Sequence, residues 1–347
     1  MKWLASNLDR NNNFDLIRLL AAIQVVIYHG IAHLHLPAPR WVIVFLASFP
    51  GVPVFFFVSG MLVTYSLSNT SERSVFFEKR IRRVYPGLVV AFLLALLVLA
   101  AFGRLGGAVG RPDFWGWAVG QLTLFQAYNP SVFRDFGVGT VNGSLWTIPI
   151  EVTFYLALPF LVAAGGNRLR LAKLIAALSL LSFGFATVSS GAESLPFRIA
   201  KETLLPFFYQ FGLGVLACLY LEPLRKVVRG KWPLGLGLAV LCGGVANSWI
   251  AWYMPLVRLL GLVFLFLFVL SVALETKPVA PKLLRGWDLS YGIYIFHMLA
   301  MNVAVVLGFM GSWWDLLAVL SVSAAVAALS WRFVEWPVIS VRRAPRT

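Results

Sequence analysis

The chain has 347 residues, 60% of them hydrophobic and 12% charged, with a mean hydropathy of +0.82; an ordinary soluble domain carries roughly 25% charged residues. That composition excludes a water-soluble fold. The net charge of +15 would suit nucleic acid, but in a chain this apolar the basic residues are topology signals, and no nucleic-acid partner is expected.

Uncharged stretches recur along the whole sequence, most of them near the ~20 residues that cross a ~30 Å hydrocarbon layer as a helix. Backbone groups cannot be left unpaired in lipid. The expected fold is therefore all-α, a polytopic membrane bundle of about ten transmembrane helices. They fall near 16–34, 52–68, 86–103, 145–163, 174–190, 203–221, 233–250, 256–274, 289–309 and 314–332. With the N-terminus in the cytoplasm, the inner segments hold 22 of the 29 Lys and Arg, so both termini are expected to be cytoplasmic. The apolar segment 114–128, "FWGWAVGQLTLFQAY", would invert every later loop if it crossed. It is read as interfacial or re-entrant on the outer side, with Phe114, Trp115 and Trp117 suited to the headgroup region.

Cys218 and Cys242 both lie inside expected spans, which supports neither a disulfide framework nor a Cys-based metal site. The first apolar run follows the polar "NLDRNNNFD" without a small-residue cleavage site, so it reads as a true span rather than a signal peptide. The expectation is one integral-membrane domain, 1–347, with no appended soluble domain.

In chain order, "FDLIRLLAAIQVVIYHG" (14–30) sets Arg18 and His29 eleven positions apart. At ~100° per residue that is three turns plus ~20°, one face of a helix with ~16 Å between the two. A charged group at bilayer depth costs at least ~2.5 kcal/mol and normally faces the bundle interior or a wet cavity. Two readings stand: a topology anchor with a headgroup-level imidazole, or a polar stripe along one cavity with His29 available for proton transfer. "GVPVFFFVSGML" (51–62) buries Ser59 beside Gly60, small residues that let helices approach closely. "FFEKRIRRVYP" (76–86) places Lys79, Arg80, Arg82 and Arg83 just before a span. Such clusters commonly enforce orientation or touch anionic lipid. Arg80 and Arg83 nevertheless share a helical face, and their planar donors would suit a polyanion such as a coenzyme A ester.

In "NGSLWTIPIEVTFYLALPF" (142–160), Thr147, Glu151 and Tyr155 fall on one face, and Glu151 is the only acid between Asp135 and Glu193. A lone carboxylate near the head of a span must be paired, protonated or wet; a structural partner for an Arg such as Arg18 is the alternative to a functional role. "DLSYGIYIFH" (288–297) puts Ser290, Tyr294 and His297 on one face, and "RFVEWP" (332–337) ends the last span with Glu335. His33 and His35 have the spacing of a metal pair, but no Cys, Asp or Glu lies nearby and no metal is expected.

Taken in order, these pieces resemble the acyltransferase-3 family of integral-membrane O-acyltransferases, which decorate cell-surface polysaccharides and other extracytoplasmic sugars. "FDLIRLLAAIQVVIYH" is similar to the family's opening helix, with Arg18 and His29 as its Arg-x10-His signature. "GVPVFFFVSGMLVT", "FFEKRIRRVYP", "SLWTIPIEVTFYLALP" and "LSYGIYIFH" resemble its Ser-Gly helix, basic inner loop, Trp-Ser/Thr helix with an inward Glu, and late Ser-Tyr-Gly helix. Where the family often has an acid, this chain has Pro53, and no role is carried to that position.

The resemblance implies transfer of an acyl group, usually acetyl, from cytoplasmic acyl-CoA to a hydroxyl of a glycan or lipid-linked saccharide outside a bacterial inner membrane. The residues it implies are His29 as general base or acyl carrier, Arg18 to stabilise developing negative charge or hold the coenzyme, and Glu151 to orient His29 or the acceptor. Lys79, Arg80, Arg83 and Ser59 are expected near acetyl-CoA, and Trp146, Thr147, Tyr155, Tyr294 and His297 near the acceptor. Two other classes compete. A secondary transporter or flippase for a lipid-linked sugar would commonly show inverted repeats, and no matching halves are found. A membrane sensor or scaffold would use the polar face only as helix glue.

Overall fold

The structure, a computed structural model, describes residues 8–9, 11–70, 72–126, 128–248 and 254–340. No strand occurs among them. The helices are α1 (Phe14–His33), α2 (Arg40–Ala47), α3 (Gly51–Ser68), α4 (Arg73–Ala101), α5 (Pro112–Gln121), α6 (Thr147–Gly165), α7 (Arg168–Ser189) and α8 (Leu195–Lys201). They continue with α9 (Phe208–Leu219), α10 (Leu221–Val228), α11 (Trp232–Ser248), α12 (Met254–Glu275), α13 (Ala280–Leu284), α14 (Ser290–Val306), α15 (Trp313–Ser330) and α16 (Trp336–Ser340). Among the described residues seven helical segments are long and apolar enough to cross a membrane, and Phe208–Leu219, Trp232–Val245 and Ser290–Val306 are shorter apolar helices. The protein is an all-α polytopic bundle.

Three details differ from the sequence reading. The span expected over 203–221 is a helix only over Phe208–Leu219, because 203–207 is taken up by turns closed by the Leu204 and Thr203 carbonyl and hydroxyl groups. The basic cluster expected ahead of a span lies inside α4, which starts at Arg73 and runs through Pro86; a proline costs an interior helix its own donor and a clash, yet this helix continues past it. In the segment 114–128, the helix α5 is ten residues, too short to cross. Of the three aromatic residues expected at the headgroups only Trp115 is exposed, at 57%; Phe114 and Trp117 are buried in a core with Phe133, Phe136, Leu99 and Leu299.

The chain divides into two compact units. The first comprises residues 1–28, 38–73 and 150–286. Its centre is a ladder of rings, with Phe211 stacked on Phe56 at 4.5 Å and on Phe154 at 4.3 Å. Helices α3 and α9 meet at Gly60 and Gly214, where a methyl group would run into the Phe211 and Phe57 carbonyls, so Gly60 permits the close approach its sequence context suggested. Asn13, which the sequence reading passed over, fastens the start of α1 to the end of α12. Its amide donates to Val272, Thr276 and Lys277, and its oxygen accepts from the Val279 and Ala280 N–H groups at 2.7 and 3.0 Å.

The second unit comprises residues 29–37, 74–149 and 287–347. Here α14 is buried along nearly its whole length. The irregular stretch 137–146 is held to it by side-chain amides, since a loop buried without partners would leave backbone groups unsatisfied. Asn302 accepts from Val138 N–H at 2.8 Å and donates to the Thr140 and Val141 carbonyls, while Asn142 donates to the Ile295 carbonyl at 2.9 Å.

Candidate active site

Residues of α1 and α14 build the first constellation, which lies in the second unit. His297 is fully buried, and its Nδ1 stands 2.6 Å from the Tyr294 carbonyl oxygen. A carbonyl only accepts, so His297 Nδ1 carries the hydrogen and the Nε2 of the neutral ring is left as an acceptor. That Nε2 lies 2.9 Å from His29 Nδ1, and the two rings stack at 5.2 Å. His29 Nδ1 is therefore the donor, and in the neutral ring its Nε2 holds the lone pair. His33, one turn further along α1, sets its ring edge-on to His29 at 5.7 Å. Beside them the Tyr294 hydroxyl accepts from the Thr147 hydroxyl at 3.1 Å, and Trp146 is half-buried on the turn before α6. The arrangement is an oriented imidazole with one nitrogen engaged and the other available to take a proton.

Two turns before His297, about 10 Å along α14, is a cationic group. The Arg83 guanidinium donates to Asp288 at 2.5 Å and stands 3.8 Å from Glu335, which is 1% exposed on a π-helical turn. Tyr291 and Trp331 flank it, with ring centroids 5.3 and 5.8 Å from the guanidinium carbon. Ser290 donates to Asp288 and Ser330 to Glu335. Arg83 is thus committed to two carboxylates of its own unit. Nearby on α4, Lys79 is exposed, and Arg80 packs over Phe76 with 5.9 Å to the ring centroid.

The first unit carries the other expected residues. Ser59 on α3 donates to Glu151 Oε1 at 2.8 Å, the Tyr155 hydroxyl donates to the same oxygen, and the two hydroxyls lie 3.4 Å apart. Glu151 is a carboxylate held by two hydroxyls. Arg18 faces Asp15 one turn earlier at 3.8 Å with 20% of its side chain exposed.

Residues 11–334, nearly the entire chain and both units, match the family model described as "Acyltransferase domain". The chain belongs to this acyltransferase family. It is 35% identical over 346 residues to Nodulation protein 10 of Rhizobium leguminosarum bv. viciae, covering 95% of this chain and 94% of that protein. It is 24% identical to the O-acetyl transferase of Shigella phage Sf6, over 94% of this chain and 96% of that one. It is 26% identical to the peptidoglycan O-acetyltransferase OatA of Listeria monocytogenes, over 94% of this chain but only 55% of that protein's length. No solved structure matches the chain.

Within this family member the expected residues separate into two groups. His29, His297, Tyr294, Trp146, Thr147, Lys79, Arg80 and Arg83 belong to the second unit; Arg18, Ser59, Glu151 and Tyr155 belong to the first. Thr147, Glu151 and Tyr155, one face of α6 by spacing, therefore serve different clusters. His297, expected near the acceptor, is fully buried with its Nε2 2.9 Å from His29 Nδ1. The pairing of His29 with His297 and of Arg83 with Asp288 had no sequence signal, because 268 and 205 residues separate the partners.

Proposed function

We propose that the protein is a membrane O-acyltransferase that moves an acetyl group from cytoplasmic acetyl-CoA to a hydroxyl of an extracytoplasmic glycan or lipid-linked saccharide at a bacterial inner membrane. Family membership supports the reaction class, and the names of the Shigella phage and Listeria relatives support acetyl as the group and a glycan as the acceptor. The observation that carries the mechanism is the hydrogen-bonded chain from the Tyr294 carbonyl through His297 to His29, which leaves one imidazole nitrogen of His29 as a base.

In this reading the acceptor O–H gives its proton to His29 Nε2 and the oxygen attacks the thioester carbonyl. The C–S bond then breaks, and the leaving thiolate takes the proton from His29 to give free coenzyme A. Arg18, about 16 Å along α1 from His29, is assigned to holding the coenzyme, and Glu151, fixed by Ser59 and Tyr155, to orienting the acceptor. Contact with the donor's phosphates is assigned to Lys79, Arg80 and Arg83, the last of which also meets Asp288 and Glu335. Trp146, Thr147 and Tyr294 are assigned to the acceptor.

The test compares surface glycans by mass spectrometry from cells carrying the wild-type gene, a deletion, or His29→Ala at equal membrane abundance. Loss of one acetyl increment in both the deletion and His29→Ala supports the proposal. An unchanged acetyl increment in His29→Ala overturns it.

A further inference from the structure

In the first unit, α9 and α12 leave an apolar groove of about 270 Å³. Leu213, Leu216 and Tyr220 stand at i, i+3 and i+7 on one wall and Val263 and Leu267 at i and i+4 on the other, so the α9 row follows one helical face for about 10 Å. Phe57 and Phe266, stacked at 4.3 Å and buried, close the groove beneath, while the wall residues are only half-buried. Tyr220 supplies the single polar side chain of the lining. Such a surface offers water and sugars almost nothing to bond with, and it suits a hydrocarbon chain lying along the helices.

What distinguishes it from any lipid-facing surface is its end. Both helices stop against α10, which is fixed there by Ser271 donating to the Val228 carbonyl at 2.7 Å and by Arg225 and Arg229 meeting Glu275 at 3.1 and 3.3 Å. Helix α10 and the turn after it carry Arg225, Lys226, Arg229 and Lys231. From α7, Arg168 donates to the Leu219 carbonyl and sets its guanidinium 4.9 Å over the ring of Tyr220, the same ring that lines the groove. Arg168 at the start of α7 together with α10 and the turn after it, which meet the end of the groove at Tyr220 and Leu224, thus supply five cations against two carboxylates, Glu222 and Glu275. A neutral headgroup would leave that excess positive charge unmatched, whereas a lipid phosphate would neutralise part of it.

We propose that this groove is a binding site for one anionic phospholipid, with an acyl chain between α9 and α12 and the phosphate among Arg168 and the basic side chains of α10. The site is independent of the acyl-transfer chemistry. It is tested on delipidated full-length protein in neutral detergent, by thermal melting and native mass spectrometry after adding dioleoyl phosphatidylglycerol, dioleoyl phosphatidylcholine, glycerol phosphate or palmitoyl-CoA. The expected result is one retained phosphatidylglycerol and a Tm rise of several degrees with that lipid. The rise should be at least halved in Leu216→Trp or Leu267→Trp, which fill the groove from opposite walls, and in Arg168→Gln/Lys226→Gln, which removes charge and replaces no lining residue.

An equal rise with phosphatidylcholine overturns the proposal, and so does a rise with glycerol phosphate alone. An equal or larger rise with palmitoyl-CoA would assign the groove to a thioester donor instead. Should both tryptophan variants lose a cooperative melt in detergent, the Arg168→Gln/Lys226→Gln protein decides: a wild-type response there refutes the site.

Discussion

Replacing His297 with alanine tests the role proposed for His29 without touching His29. In the structure His297 meets His29 through a single hydrogen bond and is itself fixed by the Tyr294 carbonyl. His297→Ala removes the acceptor that keeps the hydrogen on His29 Nδ1, freeing the ring to turn or to exchange its tautomer. A buried donor left without its partner costs about 1–3 kcal/mol. If that cost falls on the reactive orientation, kcat drops roughly 5- to 150-fold, less than the ~10²–10⁴-fold expected for removing the base itself by His29→Ala. The donor KM should stay within about twofold, since His297 lies two helical turns from the cationic group at Arg83.

The assay is acetyl transfer in proteoliposomes, with His297→Ala, His297→Gln, His29→Ala and the double variant. Glutamine offers a carbonyl oxygen to His29 and should recover part of kcat. Because His297 acts only through His29, the double variant should be no slower than His29→Ala, a strongly non-additive pair. Multiplicative losses in the double variant, or a His297→Ala enzyme at wild-type kcat, would refute the relay.

Arg83→Gln removes the guanidinium that meets Asp288 and Glu335, the latter 1% exposed. Removing one partner of a buried pair costs about 3–5 kcal/mol, so Tm in detergent should fall markedly and Arg83→Gln/Glu335→Gln should regain part of it; an unchanged Tm would mean the pair is solvated. Asn302→Ala strips the partners from Val138 N–H and the Thr140 and Val141 carbonyls. At ~1–3 kcal/mol per orphaned group, hydrogen exchange over 137–142 should speed by more than tenfold, with Asn302→Asp in between. Lys79→Gln/Arg80→Gln should raise the apparent KM for acetyl-CoA severalfold at nearly constant kcat, and an unchanged KM would return both residues to a topology role.

The sequence by itself determined the class of the molecule. Hydropathy spaced by the thickness of a bilayer makes the helices, and their number can be counted without any tertiary contact because a backbone in lipid has no partner except its own helix. It also identified Arg18, His29, Ser59, Glu151, Tyr155 and Tyr294 as polar residues in places where lipid makes them expensive. It did not determine what those residues touch. Only the folded chain brings His297 onto His29, sends Thr147 to Tyr294 while Glu151 goes to Ser59, and closes Arg83 between Asp288 and Glu335. It also draws Phe114 and Trp117 from the expected interface into a core. The reason is range: a span is a local property set by about 20 consecutive residues, whereas a hydrogen bond between helices depends on their packing, to which hydropathy is blind.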